Sequence, residues 1–429
     1  MELSKLHKIF RESTGVTTDS RNIEPNNIFF ALKGENFNGN KFAESALQQG
    51  AKLVVIDEAQ YHTDKDKMVL VDDTLQTLQD LAKLHRAYIG LPIIALTGSN
   101  GKTTTKELIH AVLQKKYNTQ ATFGNLNNHI GVPLTLLSLR EDTDIGIIEM
   151  GANHQKEIEL LCDIAQPDFG YITNFGRAHL EGFGGFEGVI KGKSELYDYL
   201  LNHKKTVFIN QDDELQVKKS SSIRQFGFSS TNESAKVFFN KVEAQPMAAV
   251  SVKDTHIQSQ LTGIYNTVNI CAAVSIGIFF GIDLSDIKHA IENYMPNNNR
   301  SQWVNSGSNK VLLDAYNANP SSMKAALTNF FQLHDNDKLL ILGDMFELGQ
   351  ESDKEHQIII DLVAEQNITT YFVGKEFYKH HHRENDSMKF FESFEQLKDF
   401  LHNQSIANQT ILVKGSRGMQ LERTLDLLT

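Results

Sequence analysis

Between Ile93 and Thr105 the chain reads Ile-Ile-Ala-Leu-Thr-Gly-Ser-Asn-Gly-Lys-Thr-Thr-Thr. An apolar run breaks at two glycines and restarts as a helix-compatible stretch opened by Lys102. Strand, small-residue turn and helix in that order restrict the fold to an α/β sheet with the turn at a strand's carboxyl end. Gly98 and Gly101 let the backbone through Ser99 and Asn100 bend until several N–H groups face one oxyanion, and the helix start adds its positive end. Lys102 supplies a full charge. The Thr103 hydroxyl, with Thr104 beside it, is suited to a magnesium ion that bridges phosphate oxygens. The usual spacing needs glycine at position 96, where this chain has Leu96, so a short phosphate loop is implied. A glycine-serine turn with a chance lysine is the alternative; the flanking strand and helix patterns favour phosphate binding.

The length of 429 residues exceeds what one core usually supports. Three textures divide it. Residues 1–87 alternate short apolar runs with turns, as in a small α/β domain. Residues 88–299 carry the phosphate loop among strand-like runs at Ile93–Leu96, Ile145–Ile148, Phe169–Ile172 and Val207–Ile209, the pattern of a parallel sheet. Residues 300–429 repeat it with Val311–Leu313, Leu339–Leu342, Tyr371–Val373 and Ile411–Val413. Ligands of open sheets lie beyond the strands' carboxyl ends, so Asp314, Gly343-Asp344, Gly374 and Lys414-Gly415-Ser416 are expected on one rim facing the phosphate loop. The serines at 220–222 and the stretch 229–233 read as exposed loops.

A net charge of -11 argues against non-specific nucleic-acid binding. Two cysteines make no disulfide framework, the start MELSKLHKIFRES has no leader pattern, and no apolar run reaches membrane-spanning length. A cytoplasmic location without membrane insertion is expected.

Glu149 follows the run Ile145–Ile148, where a carboxylate can meet a cation held by the phosphate loop. The next strand leads into Thr173-Asn174-Phe175-Gly176-Arg177-Ala178-His179, and His179 is a candidate to share that metal with Glu149, against the commoner structural role of a lone histidine. The loop holding Asn125, Asn127, Asn128 and His129 offers neutral donors to a substrate, or is simply a polar loop.

Together TGSNGKTTTK, EMGANH, NFGRAHLEGFG, IKGKSELY, GIYNTVNICAA, DAYNANP, ILGDMFELG and VKGSRG resemble the Mur ligases over nearly the whole chain. The resemblance implies three domains: a small N-terminal unit binding a uridine diphosphate substrate, a central ATPase, and a C-terminal Rossmann-like unit that closes over the phosphate loop once ATP binds. DAYNANP, LGDMFELG and VKGSRGM, without a DNPR-type motif, are similar to the member that joins D-alanyl-D-alanine to UDP-N-acetylmuramoyl-tripeptide through an acyl phosphate. ATP and Mg2+ are the implied cofactors and a monomer the implied state. Ser20 and Arg21, within Thr18–Arg21, match the uridine-diphosphate pocket, and Asn125 and Asn128 are assigned to substrate. Lys193, ahead of Lys191, matches the lysine whose carbamate holds a second magnesium; by composition alone it reads as an exposed lysine at a helix start. Asn266 and Asn269 match the adenine-side asparagines, although Tyr265 stands where the family commonly has histidine. Arg300 matches an interdomain arginine that reaches the nucleotide phosphates, although Asn299 replaces the usual glycine, and Asp314 and Asn317 join it. Lys102, Arg300 and the metals act as electrostatic stabilisers. A lysine- or diaminopimelate-adding ligase, a folylpolyglutamate synthetase-like protein and a P-loop ATPase acting on a partner are the rivals.

Overall fold

The computed structural model describes residues 1–296, 299–334 and 337–428. Three sheets of four, nine and six strands organise them, beside a two-stranded pair, Lys33–Gly34 with Phe37–Asn38. The first is parallel and four-stranded, in the order Gly15–Thr17, Asn27–Phe30, Leu53–Ile56, Met68–Leu70. Its two middle strands are buried on both faces, which is why Ile28-Phe29-Phe30 and Leu53-Val54-Val55-Ile56 are unbroken apolar runs rather than alternating ones. Helix Thr74–Ile89 leads out of this unit and ends at Gly90, whose left-handed φ of 66° caps it. Arg86 fastens that helix to the central unit through the Ala165 carbonyl at 3.0 Å and Asp168 at 2.8 Å.

Nine strands form the central sheet. Strand Ile93–Thr97 lies between Phe169–Ile172 and Ile145–Glu149, parallel to both, with Leu96 level with Glu149 and Thr97 level with Ile172. That register sets the ends of all three strands side by side, so residues distant in sequence meet around the phosphate loop. Beyond Thr206–Asn210 the sheet continues through Arg224–Ser229 and Val237–Glu243 to an antiparallel pair, Ala249–Val252 and Thr255–Gln258. Ser220 and Ser229 are not in exposed loops. Both are fully buried: Ser220 donates to the Gln216 carbonyl at 2.7 Å, and Ser229 bonds the Asp212 carboxylate.

The third sheet has the order Gln302–Ser306, Asn309–Asp314, Thr410–Lys414, Lys338–Gly343, Thr369–Val373, Met388–Phe391, parallel except for its first pair. The expected apolar runs are its four central strands. Strand Thr410–Lys414, last in sequence, sits between the earlier ones and brings Lys414 level with Asp314. Among the described residues no helix is long and apolar enough to cross a membrane.

Candidate functional site

A cleft of about 1070 Å³ opens where the central and third sheets face each other, larger than a site for one small ligand usually is. Its floor is the phosphate loop. Gly98 has φ +142°, and a Cβ there would lie 2.0 Å from Thr173 Oγ1; Gly101, at φ +79°, would meet Asn269 Oδ1 at 2.8 Å. Only glycine fits either position. The neighbouring strand's extension then clamps the turn: Ser99 N donates to Asn174 O at 3.1 Å, Asn100 N to Asn174 Oδ1 at 3.1 Å, and Thr173 Oγ1 to Asn100 O at 2.6 Å. Lys102 opens helix Lys102–Leu113 and folds back so that Nζ donates to Gly98 O at 2.8 Å and Ser99 O at 3.3 Å. Burial lowers its pKa; the Glu149 charge opposes that shift and Arg300 reinforces it.

Glu149 is 1% exposed. Its Oε1 accepts from Thr103 Oγ1 at 3.2 Å and Asn127 Nδ2 at 2.8 Å, whereas Oε2 is buried with no partner. A buried carboxylate oxygen without a donor is costly unless something absent from the protein alone completes it. Beside a threonine hydroxyl and a phosphate cradle, that oxygen suits a hard divalent cation whose other ligands are water and phosphate oxygens. Among the described residues no three His, Cys, Asp or Glu side chains converge on a metal position.

His179 has a left-handed φ of 53° and bonds Glu347 of the third sheet's unit through Nδ1, so the partner found for it is a carboxylate across the cleft. Lys193 is neither exposed nor at a helix start. It sits inside helix Phe186–Asn202, 1% exposed, donating to Ala152 O at 3.1 Å with the Phe183 ring 5.1 Å away. Burial, followed by the Lys102 charge, drives its pKa well down, with Glu157 and Glu195 opposing. Lys191, two residues earlier, is exposed. Helical geometry turns residues two apart to different faces, which separates the two lysines.

On the far side, Asn266 and Asn269 project from helix Ile264–Phe279; Asn269 Nδ2 donates to Asn266 Oδ1 at 2.9 Å. Tyr265 spans to Ser301, hydroxyl to hydroxyl, at 2.8 Å. Arg300 lies 3.7 Å over the Tyr316 ring with its buried Nε unpartnered. Its neighbours Asn299 and Ser301 have φ of 55° and 48°. Asparagine tolerates that left-handed backbone, so Asn299 can stand in for a glycine. Asp314 accepts from Ser301 N at 3.1 Å and Lys414 Nζ at 2.6 Å, and Lys414 also donates to the Asn317 carbonyl at 3.2 Å.

The cleft therefore gathers Ser99–Thr104, Asn125, Asn128, Glu149, His179, Asn266, Asn269, Arg300, Asp314 and Asn317. Lys193 lies beneath its wall, at Ala152. Asn128 also has a local task, accepting from Ile130 N and Gly131 N at 3.1 and 2.9 Å at the start of helix Gly131–Ser138. Ser20 and Arg21 do not line the cleft; they are on the first unit, where the Arg21 side chain is 88% exposed and paired with Asp19. The expected rim is only partly right. Asp314, Lys414 and Ser416 line the cleft, but Asp344 turns inward to accept from Glu376 N and Phe377 N, and neither it nor Gly374 reaches the cleft. Asn319 was not singled out in the sequence. Its Oδ1 caps helix Pro320–Phe331 while its Nδ2 donates to Asn100 Oδ1 at 2.7 Å, crossing from one unit to the other. The Asn-Pro-Ser-Ser signature announces the cap but not the crossing.

Comparison with known proteins agrees along the chain. Residues 12–86 match the domain family described as Mur ligase family, catalytic domain; 96–277 match Mur ligase middle domain; 299–417 match Mur ligase, glutamate ligase domain. The UDP-N-acetylmuramoyl-tripeptide--D-alanyl-D-alanine ligase of Bacillus subtilis is 34% identical, covering 95% of this chain and 91% of its own. The Escherichia coli protein of the same name is 33% identical over 96% and 93%. The crystal structure of MurF from Acinetobacter baumannii superimposes with a TM-score of 0.87 at 30% identity, covering 98% of both chains.

Proposed function

The chain belongs to the Mur ligase family, and on that premise we propose that it joins D-alanyl-D-alanine to UDP-N-acetylmuramoyl-tripeptide, with ATP cleaved to ADP and phosphate, in peptidoglycan precursor synthesis. The observation that carries this reading is the convergence, on one cleft, of a phosphate loop, a half-satisfied buried carboxylate at Glu149 and the Asp314–Lys414 wall of a second unit. The named relatives, alike over nearly the full chain, supply the substrates.

In this reading the tripeptide carboxylate takes the γ-phosphoryl group, and the dipeptide amine displaces phosphate from the acyl phosphate. Both steps gather negative charge, which the phosphate loop, Lys102 and Arg300 are the groups suited to stabilise. Thr103 and Glu149 are the residues suited to hold Mg2+, which supplies further charge neutralisation when bound. His179 is proposed to share that ion with Glu149 and a carbamate on Lys193 to hold a second one, and the low-polarity burial of the Lys193 amine favours the neutral form that reacts with carbon dioxide. Asn266 and Asn269 face adenine, Asp314 and Asn317 complete the nucleotide site, Asn125 and Asn128 meet the tripeptide, and Ser20 and Arg21 meet the uridine diphosphate on the first unit. We draw the units at 1–87, 88–299 and 300–429, in keeping with the three sheets and the limits of the domain matches. A cytoplasmic monomer fits substrates of this kind.

The test is phosphate release from ATP and UDP-N-acetylmuramoyl-tripeptide with and without D-alanyl-D-alanine, the adduct being followed by mass spectrometry. Release and adduct that both require the dipeptide are expected. Release indifferent to it would favour the ATPase alternative, and an adduct formed with lysine or diaminopimelate instead would favour another Mur ligase.

A further inference from the structure

Two hydrogen bonds cross from the start of helix Ile264–Phe279 to the segment that leads from the central unit into the third sheet. Tyr265 meets Ser301, hydroxyl to hydroxyl, at 2.8 Å, and Trp303 Nε1 donates to Thr262 Oγ1 at 2.7 Å. Thr262 and Tyr265 flank Gly263, where φ is +99° and an added Cβ would lie 2.6 Å from Cε1 of the Tyr265 ring. The ring therefore rests on bare backbone, which fixes where its hydroxyl points. The asparagines proposed for adenine hang from the same turn: Asn266 Nδ2 donates to the Thr262 carbonyl at 2.8 Å and Asn269 Nδ2 to Asn266 Oδ1 at 2.9 Å.

Ser301 needs the support it receives. Its φ of 48° is left-handed, a conformation that a residue bearing a Cβ keeps when its surroundings hold it there. It is 5% exposed, and besides the Tyr265 contact its N–H donates to Asp314 Oδ1 at 3.1 Å. Asp314 belongs to the third unit and Tyr265 to the central one, so the residue is gripped from both sides. Arg300 directly precedes it. The Arg300 guanidinium lies 3.7 Å over the Tyr316 ring, its Nε is buried without a partner, and it lines the cleft together with Lys102. Rotation about the Ser301 backbone would move Arg300 relative to Tyr316 and to the phosphate loop.

We propose that Tyr265 is a positioning residue for Arg300: by holding Ser301, its hydroxyl sets the guanidinium where charge develops on the transferred phosphoryl group, with the ligase reading above as the ground for that charge. The hydroxyl is spent on the linker, and the base of the nucleotide is left to the asparagines. A misplacement of about 1 Å in a group that stabilises transition-state charge costs turnover and leaves ground-state binding nearly intact.

The test is a double-mutant cycle in the full chain with Tyr265→Phe, Ser301→Ala and the two combined, read as kcat for phosphate release and adduct formation and as ADP affinity by titration. Each single variant should lower kcat about 3- to 10-fold, the worth of one hydrogen bond, and the combination should fall no further. ADP affinity should stay within about twofold, a result that a role in holding adenine would not give. In an Arg300→Ala background, Tyr265→Phe should cost nothing more. Unchanged kcat in Tyr265→Phe, losses that add in the double variant, a weakened ADP complex, or a further loss without Arg300 overturns the proposal. Phosphate release that ignores D-alanyl-D-alanine in the unaltered protein overturns the ligase reading instead, and the cycle read on that release still decides the part played by Tyr265.

Discussion

The Lys193 side chain reaches no solvent and donates to a single carbonyl, that of Ala152. A lysine placed this way does little for stability as a cation, because removing the charge from water costs more than one hydrogen bond returns. Its burial makes sense if the amine is converted into something the site uses. Lys193→Ala should lower kcat on the order of 100-fold or more, comparable to removing a principal stabiliser of transition-state charge, and short carboxylic acids should restore part of it by occupying the vacated space. Lys191→Ala, altering an exposed side chain, should stay within about twofold. Full activity in Lys193→Ala, or no response to added carboxylate, removes the carbamate from the mechanism. None of this was legible in the local sequence, where Lys-Gly-Lys-Ser offers two equivalent lysines. Burial is decided by the helix's packing against Phe183 and Ala152, and only the family resemblance singled out Lys193, the buried one of the two. The phosphate loop was legible because its chemistry is contiguous. Glu149 was legible because the strand-end rule is local. Asn127 and Asn319 were not, since a polar residue in a loop gives no sign of the carboxylate or amide it will meet.

At the scale of elements, the strand–turn–helix at Ile93–Leu113 depends on its neighbours as much as on its own residues. Gly98→Ala would drive a methyl group into Thr173 Oγ1 and demand a φ that alanine resists. We expect a stability loss of roughly 1–3 kcal/mol together with weakened ATP binding, read by thermal unfolding and nucleotide titration; an unchanged Tm and ATP affinity would contradict this account of the loop. Helices Leu3–Arg11 and Thr74–Ile89 meet through a different device, a histidine pair. His7 Nε2 lies 3.1 Å from His85 Nδ1, and His85 Nε2 lies 3.0 Å from the Leu139 carbonyl. When both rings are neutral, the second contact makes Nε2 of His85 the donor and leaves its Nδ1 to accept from His7. Burial, then the Arg11 charge, lowers the pKa of His7; for His85 burial again leads, with the Leu139 carbonyl opposing it. Burial also lowers His110 and His356. The unfolded chain takes up protons at these histidines before the folded one, so stability falls as pH drops through about 6.5. Asp344, raised to about 6 chiefly by burial, acts in the opposite sense and recovers part of the loss below that value. A urea midpoint lower at pH 6 than at pH 7.5, with a shallower slope in His85→Gln, is the expected outcome; a flat profile would exclude the pair as a stability determinant. Sequence pattern placed most core strands, because buried parallel strands are apolar throughout. It missed Arg224–Ser229 and Thr255–Gln258, whose polar, part-exposed residues resemble loops, and with them the short buried strand Ala249–Val252. It also put Asp344 on the rim, although that carboxylate is used up capping the turn at Glu376 and Phe377.

Across the whole molecule, the third unit touches the central one through the loop that follows strand Phe169–Ile172. Arg177 Nη2 pairs with Glu355 at 2.9 Å and Glu351 at 3.4 Å, its backbone N–H donates to Ser321 Oγ at 2.8 Å, and His179 meets Glu347. Because the Glu355 side chain is only 7% exposed, removing its partner leaves a largely buried charge uncompensated. Arg177 itself is 41% exposed, so solvent screening limits the effect to roughly 1 kcal/mol, about fivefold in kcat/KM. In solution scattering, saturating ATP analogue and UDP-substrate should contract the unaltered protein, and Arg177→Ala should stay more extended under the same conditions. Equal dimensions with and without ligands would count against closure, and identical contraction in the variant would count against this latch. The linker at Asn299–Ser301 bears on the same motion, since it carries Arg300 between two left-handed residues. Floor and opposite wall of the cleft come from separate stretches of chain, residues 98–193 and 314–418. The residues we propose to activate a carboxylate and the wall that faces them are thus inherited on different segments. An inhibitor lodged across the seam would touch both segments at once and stall turnover while resembling neither nucleotide nor sugar.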